Sequence, residues 1–409
     1  MIGNSSIRDR HNRLWKIANY AAFAGLIFFA LYYLTAFRFD IIFTDPARQV
    51  DFTLWRFVPT YILEHARYPA VVTGDWEHAV FPYLPSAAVM MLPLSWPPPP
   101  VAFGMWLLIE ASAFALVLWI VLRLSGAMRL QARWLIAIAA VLLSENALGW
   151  DFRNHNTNIV YLALVMVGIQ TRRTWLGALL LALSINLKLY SGLVPIALAW
   201  RREYALAAAT CILTVLIAVL LPVVAFGPSA FPQLAADWFA QIRYSIASQS
   251  GHTASLIRSV ATLLAVDPGA VLSTVTLRAV QAAWLVLVAC YYVVAARRQP
   301  AQAIHYDQAR LADICVALIA PLPLSVWFIP YHAVVVLPAY VLLLTVAIAE
   351  EWPRWLRATS AGACIAGLVV RFAIPSWNYR GAMFLISFVI LLSALGIIRR
   401  ALALRQTNT

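Results

Sequence analysis

Long apolar stretches alternate with short arginine-rich turns along most of this chain. Apolar segments fall near 17–37, 101–122, 134–149, 158–170, 174–187, 189–200, 204–226, 276–296, 311–329, 332–349, 358–374 and 382–398. A helix needs roughly twenty apolar residues to cross the hydrocarbon core, so the pattern predicts an all-α polytopic membrane protein with about twelve spans, several of them short. The first segment has no A-x-A cleavage site at its end and reads as a retained span rather than a signal peptide. Basic residues test the threading. Arg8, Arg10, Arg13 and Lys16 precede the first span, and Arg123/Arg129/Arg133, Arg172/Arg173, Arg201/Arg202, Arg297/Arg298/Arg310, Arg354/Arg357 and Arg399/Arg400/Arg405 occupy later turns on the same side. Positive residues stay in the cytoplasm, so both termini are expected there. A second threading makes 84–97 a helix and fuses 174–200, but it moves two arginine clusters outside and erases the charge bias. The first threading is preferred. Both put 38–83, 227–275 and the start of the 332–349 helix on the outer side.

Two outer loops are too long to be mere connectors. Residues 38–100 include Pro59, Pro69, Pro82, Pro85 and Pro93 and then the run Pro97 to Pro100, with amphipathic helices expected inside. Residues 227–275 mix aromatic and polar positions in DWFAQIRYSIASQSGHTASLIRS. Loops of this length usually carry function. The remaining loops are short, so residues 1–409 read as a single membrane-embedded domain.

Composition agrees with the bilayer as solvent: 63% of residues are hydrophobic and 11% charged, against about 25% charged in soluble domains. The net charge of +13 fits orientation signals and contacts with anionic membrane lipids better than nucleic acid, for which no motif exists. Cys211, Cys290, Cys315 and Cys364 lie in apolar runs without metal or disulfide spacing. No phosphate-binding glycine loop, dinucleotide fingerprint, H-E-x-x-H or C-x-x-C occurs. No D-x-D pair is present to hold a nucleotide sugar through a metal, and neither cofactor nor metal is expected.

Candidate chemistry lies at the outer face. Asp51 opens the run V-D-F-T-L-W-R-F about fourteen residues beyond the first span, where Trp55 and Arg56 follow at helical spacing. A loop aspartate is commonly a solvated charge or a cap. One that opens an amphipathic interfacial helix facing a cavity can serve as a general base. Lys188 is one of only two lysines and lies in apolar sequence. It reads either as a cation snorkelling to the interface or as a counter-charge facing a cavity. His332 in WFIPYHAVVVLPAY is either an interfacial structural residue or a contact for substrate. Asn154, His155 and Asn156 read as helix caps or substrate contacts. Glu110, Glu145 and Asp313 suit structural pairing.

With these residues in place, VDFTLWRFVPTYILEHARYPAV followed by FPYLPSAAVMMLPL resembles the first outer loop of polyprenol-phosphate-dependent hexosyltransferases of the GT-C type. These belong to glycosyltransferase family eighty-seven, which includes a mannosyltransferase of phosphatidylinositol mannoside synthesis. Asp51, Trp55 and Tyr83-Leu84-Pro85 take the places of that family's Asp, aromatic and Tyr-x-Pro. Trp replaces the commoner Tyr at the second place. Asn158 ends a stretch resembling Gly-Gln-x-Asn, with Asn154 and His155 before it. Lys188 and Pro195 match a helix ending in Lys with a nearby Pro. Gln249, Ser250 and Arg258 match an Asn-Gln-Ser stretch with a following Arg, Ser248 replacing Asn. The resemblance runs over roughly residues 20–345. It implies a GT-C fold in the bacterial plasma membrane, with its active site on the extracytoplasmic side.

On that reading Asp51 takes a proton from an acceptor hydroxyl, which displaces polyprenyl phosphate from the anomeric carbon with inversion. Lys188, His332 and one or two arginines steady the phosphate, while Trp55, Arg56, Tyr83, Asn154, His155, Asn158, Gln249, Ser250 and Arg258 line the substrate site. The partners are a polyprenyl-phosphate sugar, mannose favoured, and a glycolipid or glycan acceptor. A transporter or flippase for a lipid-linked saccharide is the rival reading. It predicts an internal repeat with helices broken at the midplane, and no clear repeat is visible.

Overall fold

A computed structural model describes residues 3–35, 51–69, 81, 83–247, 275–296, 303–324, 330–373 and 380–404. Every regular element among them is helical. In chain order they are α1 (Gly3–Thr35), α2 (Asp51–His65), α3 (Pro85–Ser95), α4 (Pro99–Leu124), α5 (Arg133–Leu143), α6 (Glu145–Asn154), α7 (Asn158–Gln170) and α8 (Thr174–Leu187). There follow α9 (Val194–Trp200), α10 (Tyr204–Phe226), α11 (Phe231–Ala247), α12 (Val275–Cys290), α13 (Ala303–Ile319), α14 (Leu337–Ile348), α15 (Arg354–Ala373) and α16 (Arg380–Leu404), with short 3₁₀ and π turns between some of them.

Five described helices are long and apolar enough to cross a membrane: Arg13–Tyr32, Pro99–Leu124, Tyr204–Phe226, Arg278–Ala295 and Leu385–Leu404. A sixth span results if α5 and α6 are joined, although they meet at a 72° bend. The expected segments at 158–170, 174–187 and 189–200 are helices, but each rises only about 20 Å, short of the roughly 30 Å core. Twelve full spans are therefore not what the described residues contain. The region expected to be loop at 84–97 is the apolar, largely buried α3, opened by Pro85 at its first position. The 174–200 stretch is not one helix, because the backbone at Lys188 is extended (φ −150°, ψ 120°) before a 3₁₀ turn and α9. Pro195 supplies no amide to the preceding turn, which reinforces the break.

The core forms where α4 packs on α7, α7 on α8, and α8 on α10, with α13 to α16 closing the other side. Helix α7 meets α8 closely: a Cβ on Gly177 would lie 2.8 Å from the Gly168 carbonyl oxygen. Helix α4 measures the depth of the molecule. Near its start Phe103 and Trp106 touch His155, and just past its end Ser125 accepts a hydrogen bond from Gln308. Roughly 33 Å of helical rise separates the two ends, about one bilayer core.

Candidate functional site

Helix α2 is amphipathic: Phe52, Trp55, Val58, Pro59 and Ile62 share its buried face. Asp51, half-buried, opens it, where the helix dipole favours negative charge. The helix is pinned over α3 by Arg56, whose Nε donates to the Leu94 carbonyl and Nη2 to the Pro97 carbonyl, both at 2.9 Å. Trp55 lies buried with its ring 4.3 Å from Tyr83 and 5.2 Å from Phe81.

Opposite Asp51, the chain turns between α6 and α7 through His155, a non-glycine residue at φ 50°. Backbone strain of this kind collects at functional sites. The turn carries Asn156 and Asn158 into a buried polar chain. Lys188 Nζ donates to Asn156 Oδ1 (2.6 Å) and to Asn158 Oδ1, and the Thr157 amide also donates to Asn156 Oδ1 (2.7 Å). An ammonium only donates, so it fixes both side-chain amides with their oxygens inward. Asn156 Nδ2 is thereby turned outward and donates to Asp51 Oδ2. Asn158 Nδ2 donates to Asp151 Oδ1 (2.6 Å), whose other oxygen takes the Ile159 amide (3.1 Å). Asp151, Asn156 and Asn158 are fully buried and Lys188 nearly so. The Lys188 ammonium also sits 5.6 Å from the Tyr83 ring centroid.

The other expected residues divide. His155 Nδ1 lies 3.0 Å from Glu110 Oε2, both buried, while its Nε2 has no hydrogen-bond partner among the described residues. Asn154 turns back to the Trp150 carbonyl of its own helix and stands outside the chain of contacts around Lys188. His332 sits in a 3₁₀ turn (Pro330–Val336) rather than at a helix start, with Nδ1 3.1 Å from the Tyr190 hydroxyl. Gln249, Ser250 and Arg258 lie outside the described residues.

The segment after α2 and helix α11 brace each other. Asp237 of α11 accepts the Tyr68 amide (3.1 Å). Gln241 accepts the Phe81 amide (2.9 Å) and donates to the Pro69 carbonyl (3.0 Å). Tyr68 in turn donates its hydroxyl to the Tyr83 carbonyl (2.9 Å). Burial, and then the Asp237 carboxylate, push the Tyr68 phenol well above its usual range, so it remains a donor. Sequence reasoning missed Asp151, Tyr190, Asp237 and Gln241, and left Asn156 between a helix cap and a substrate contact. The i, i+4 spacing of Asp237 and Gln241 marks one helix face, but nothing in sequence says what that face meets.

The arrangement therefore offers an oriented, half-buried carboxylate at its mouth, backed by an amide, an ammonium and a second carboxylate. Such a group can accept a proton or a hydrogen bond from a hydroxyl. No three His, Cys, Asp or Glu side chains converge as a metal-binding group among the described residues.

No curated protein and no solved structure matches the chain. A family model described as glycosyltransferase family 87 matches residues 81–322. The match takes in Tyr83, the Asp151–Asn158 turn and Lys188 and stops short of Asp51 and His332. It spans more than half of the 409 residues, and the chain belongs to glycosyltransferase family 87.

Proposed function

We propose that this glycosyltransferase moves a hexose, mannose favoured, from a polyprenyl-phosphate donor to a glycolipid or glycan acceptor at the extracytoplasmic face, with Asp51 as general base. The carrying observation is the bridge from Asp51 through Asn156 to Lys188. It holds one carboxylate in a fixed direction, which is what a single inverting displacement requires. The acceptor hydroxyl gives its proton to Asp51 as its oxygen bonds to the anomeric carbon. The bond from that carbon to the phosphate oxygen breaks, and polyprenyl phosphate leaves with the electron pair.

In this mechanism Lys188 has two effects. It positions Asn156, and its charge lends a positive field to the developing phosphate. His332, held by Tyr190, faces the leaving phosphate, and the family resemblance assigns Arg258, Gln249 and Ser250 to substrate binding. Tyr83 and Trp55 form the aromatic wall beside the sugar, and Arg56 holds that wall in place. The orientation follows from charge. The site lies at the opposite end of α4 from the arginine-bearing turn at 125–133, and arginine-rich turns stay cytoplasmic.

The test is transfer from labelled polyprenyl-phosphate-mannose to membrane lipids by purified protein, wild type beside Asp51→Asn. Loss of transfer with an unchanged melting temperature supports the base. Equal transfer by both removes Asp51 from the mechanism. No transfer by wild type, with transfer from another polyprenyl-phosphate sugar, overturns the choice of mannose alone.

A further inference from the structure

At the far end of the molecule from the candidate site, the start of α1 and the turn between α4 and α5 enclose a polar cavity of about 360 Å³. Its wall includes Lys16, Arg129 and Arg133, all exposed, and no carboxylate. Asp307 is close enough to feel Arg129 electrostatically but does not line the space. The cavity has a fixed frame. Asn19 accepts the Trp134 backbone amide (2.9 Å), Phe23 packs on the Trp134 ring (4.7 Å), and the Arg133 guanidinium lies 5.8 Å from that ring's centroid. Trp15, Tyr20 and Trp134 complete the wall.

Three cations around one space that no carboxylate among the described residues lines create a demand for a negative ligand. The volume equals that of roughly a dozen waters, enough for a phosphate and its substituent. Free phosphate and a lipid phosphate share this chemistry, and the surroundings favour the lipid. Tryptophan and tyrosine concentrate at the level of headgroups. On α1, Ile17, Phe28 and Leu31 are exposed apolar side chains along which acyl chains can lie. The arginine-rich end of the fold is also the end that meets the anionic cytoplasmic leaflet.

We infer that this cavity is a binding site for the phosphate headgroup of an anionic glycerophospholipid. It anchors α1 to α5 from the membrane face opposite the transfer site and is independent of it.

The experiment titrates the purified full chain, in neutral detergent, with phosphatidylglycerol, phosphatidylcholine of the same acyl chains, and inorganic phosphate. Bound lipid is counted by native mass spectrometry. Phosphatidylglycerol is expected to be retained in preference to phosphatidylcholine. The paired change Arg129→Gln with Arg133→Gln weakens that binding about thirty-fold, and Lys16→Gln alone weakens it about five-fold. The pair Arg129→Lys with Arg133→Lys keeps most of the affinity. Should the glutamine pair fail to fold, the Lys16→Gln variant carries the test. Equal retention of the two lipids, or unchanged affinity in Lys16→Gln and the glutamine pair, overturns the site. Displacement of phosphatidylglycerol by equimolar inorganic phosphate overturns the lipid as its occupant.

Discussion

Two networks of buried charge stand at opposite ends of α4, and they are built differently. At one end Asp313 is sealed: Oδ1 takes the Tyr291 hydroxyl (2.8 Å) and Arg399 Nε (3.1 Å), and Oδ2 takes Arg201 Nη1 (2.7 Å). Asp313 and Arg399 have no exposed surface, and Arg201 has almost none. Glu203 extends the cluster to Arg201 and Arg310. This network ties the end of α9 to α13 and α16, with protein donors on both Asp313 oxygens. At the other end Lys188, Asn156, Asn158 and Asp151 are equally buried, yet the chain of contacts finishes at a carboxylate that reaches the surface. Burying charge in an apolar molecule is costly in both places. A sealed network returns that cost as a fixed helix arrangement, whereas an open one leaves a group poised for a substrate.

The contrast can be broken most sharply at the two aspartates. Asp51→Asn is expected to lower transfer by about 10²- to 10⁴-fold, the usual contribution of a general base. Its melting temperature should not move, because asparagine is as good as aspartate at a helix start. A drop in melting temperature with transfer intact would reverse the assignment. Asp313→Asn should do the opposite. It leaves two buried guanidinium groups facing an uncharged amide, and breaking a buried pair costs roughly 3–5 kcal/mol. Thermal unfolding in detergent should fall steeply, while transfer per folded molecule at low temperature stays near wild type. If Asp313→Asn lost transfer at an unchanged melting temperature, the two ends would have to be regarded as one functional unit.

How far the sequence reveals these two ends differs for a physical reason. The helical membrane architecture is legible from composition and from runs such as 204–226, because lipid tolerates little else. That Asp51 opens an amphipathic helix is legible from the aromatic residues and Arg56 that follow it at helical spacing. The pairing of Asp313 was also expected, since an acid amid apolar residues needs a cation. Bends are not legible: nothing in Leu143-Ser144-Glu145 announces a 72° turn, for neither proline nor glycine marks it. The break at Lys188 is legible, since the preferred threading divides 174–187 from 189–200 there, but the extended backbone that makes it is not. The role of Asn156 between Asp51 and Lys188 is not legible because both partners are far along the chain, and Asp151 was missed because only folding turns Asn158 and the Ile159 amide back onto it. Only the packing of α7 against α4 and α8 sets which face of that turn looks toward Lys188.

Helix spacing offers a milder test of the same contrast. The Gly168–Gly177 approach adjoins Ile169, whose carbonyl accepts from Arg310 of the sealed cluster, and it sets how closely α7 and α8 run; these helices carry Asn158 and the residue before Lys188. Gly177→Ala places a methyl 2.8 Å from the Gly168 carbonyl oxygen and 3.3 Å from Leu206, an overpacking that should cost about 1–3 kcal/mol. Gly104→Ala, where nothing lies within 4 Å, is the control and should lose no stability. If the open network depends on this spacing, Gly177→Ala lowers transfer as well as melting temperature. If only melting temperature falls, Lys188 is positioned by its hydrogen bonds and not by the helix pair.

The smallest expected effect asks how much of the open end is held from outside. Tyr68→Phe removes one hydroxyl, the donor to the Tyr83 carbonyl, and leaves the aromatic contact with Phe81 (6.0 Å) in place. A single hydrogen bond of this kind contributes about 1 kcal/mol, so thermal stability should change little. Its influence on transfer is more informative. Tyr83 lies over Lys188 and beside Trp55, so loosening its backbone should raise the donor's KM a few-fold while kcat holds, because Asp51 is anchored separately through Asn156. A fall in kcat with KM unchanged would mean that the brace from α11 reaches the base itself. The open network would then include the outer segments, and Tyr68 would belong to the machinery that aims Asp51.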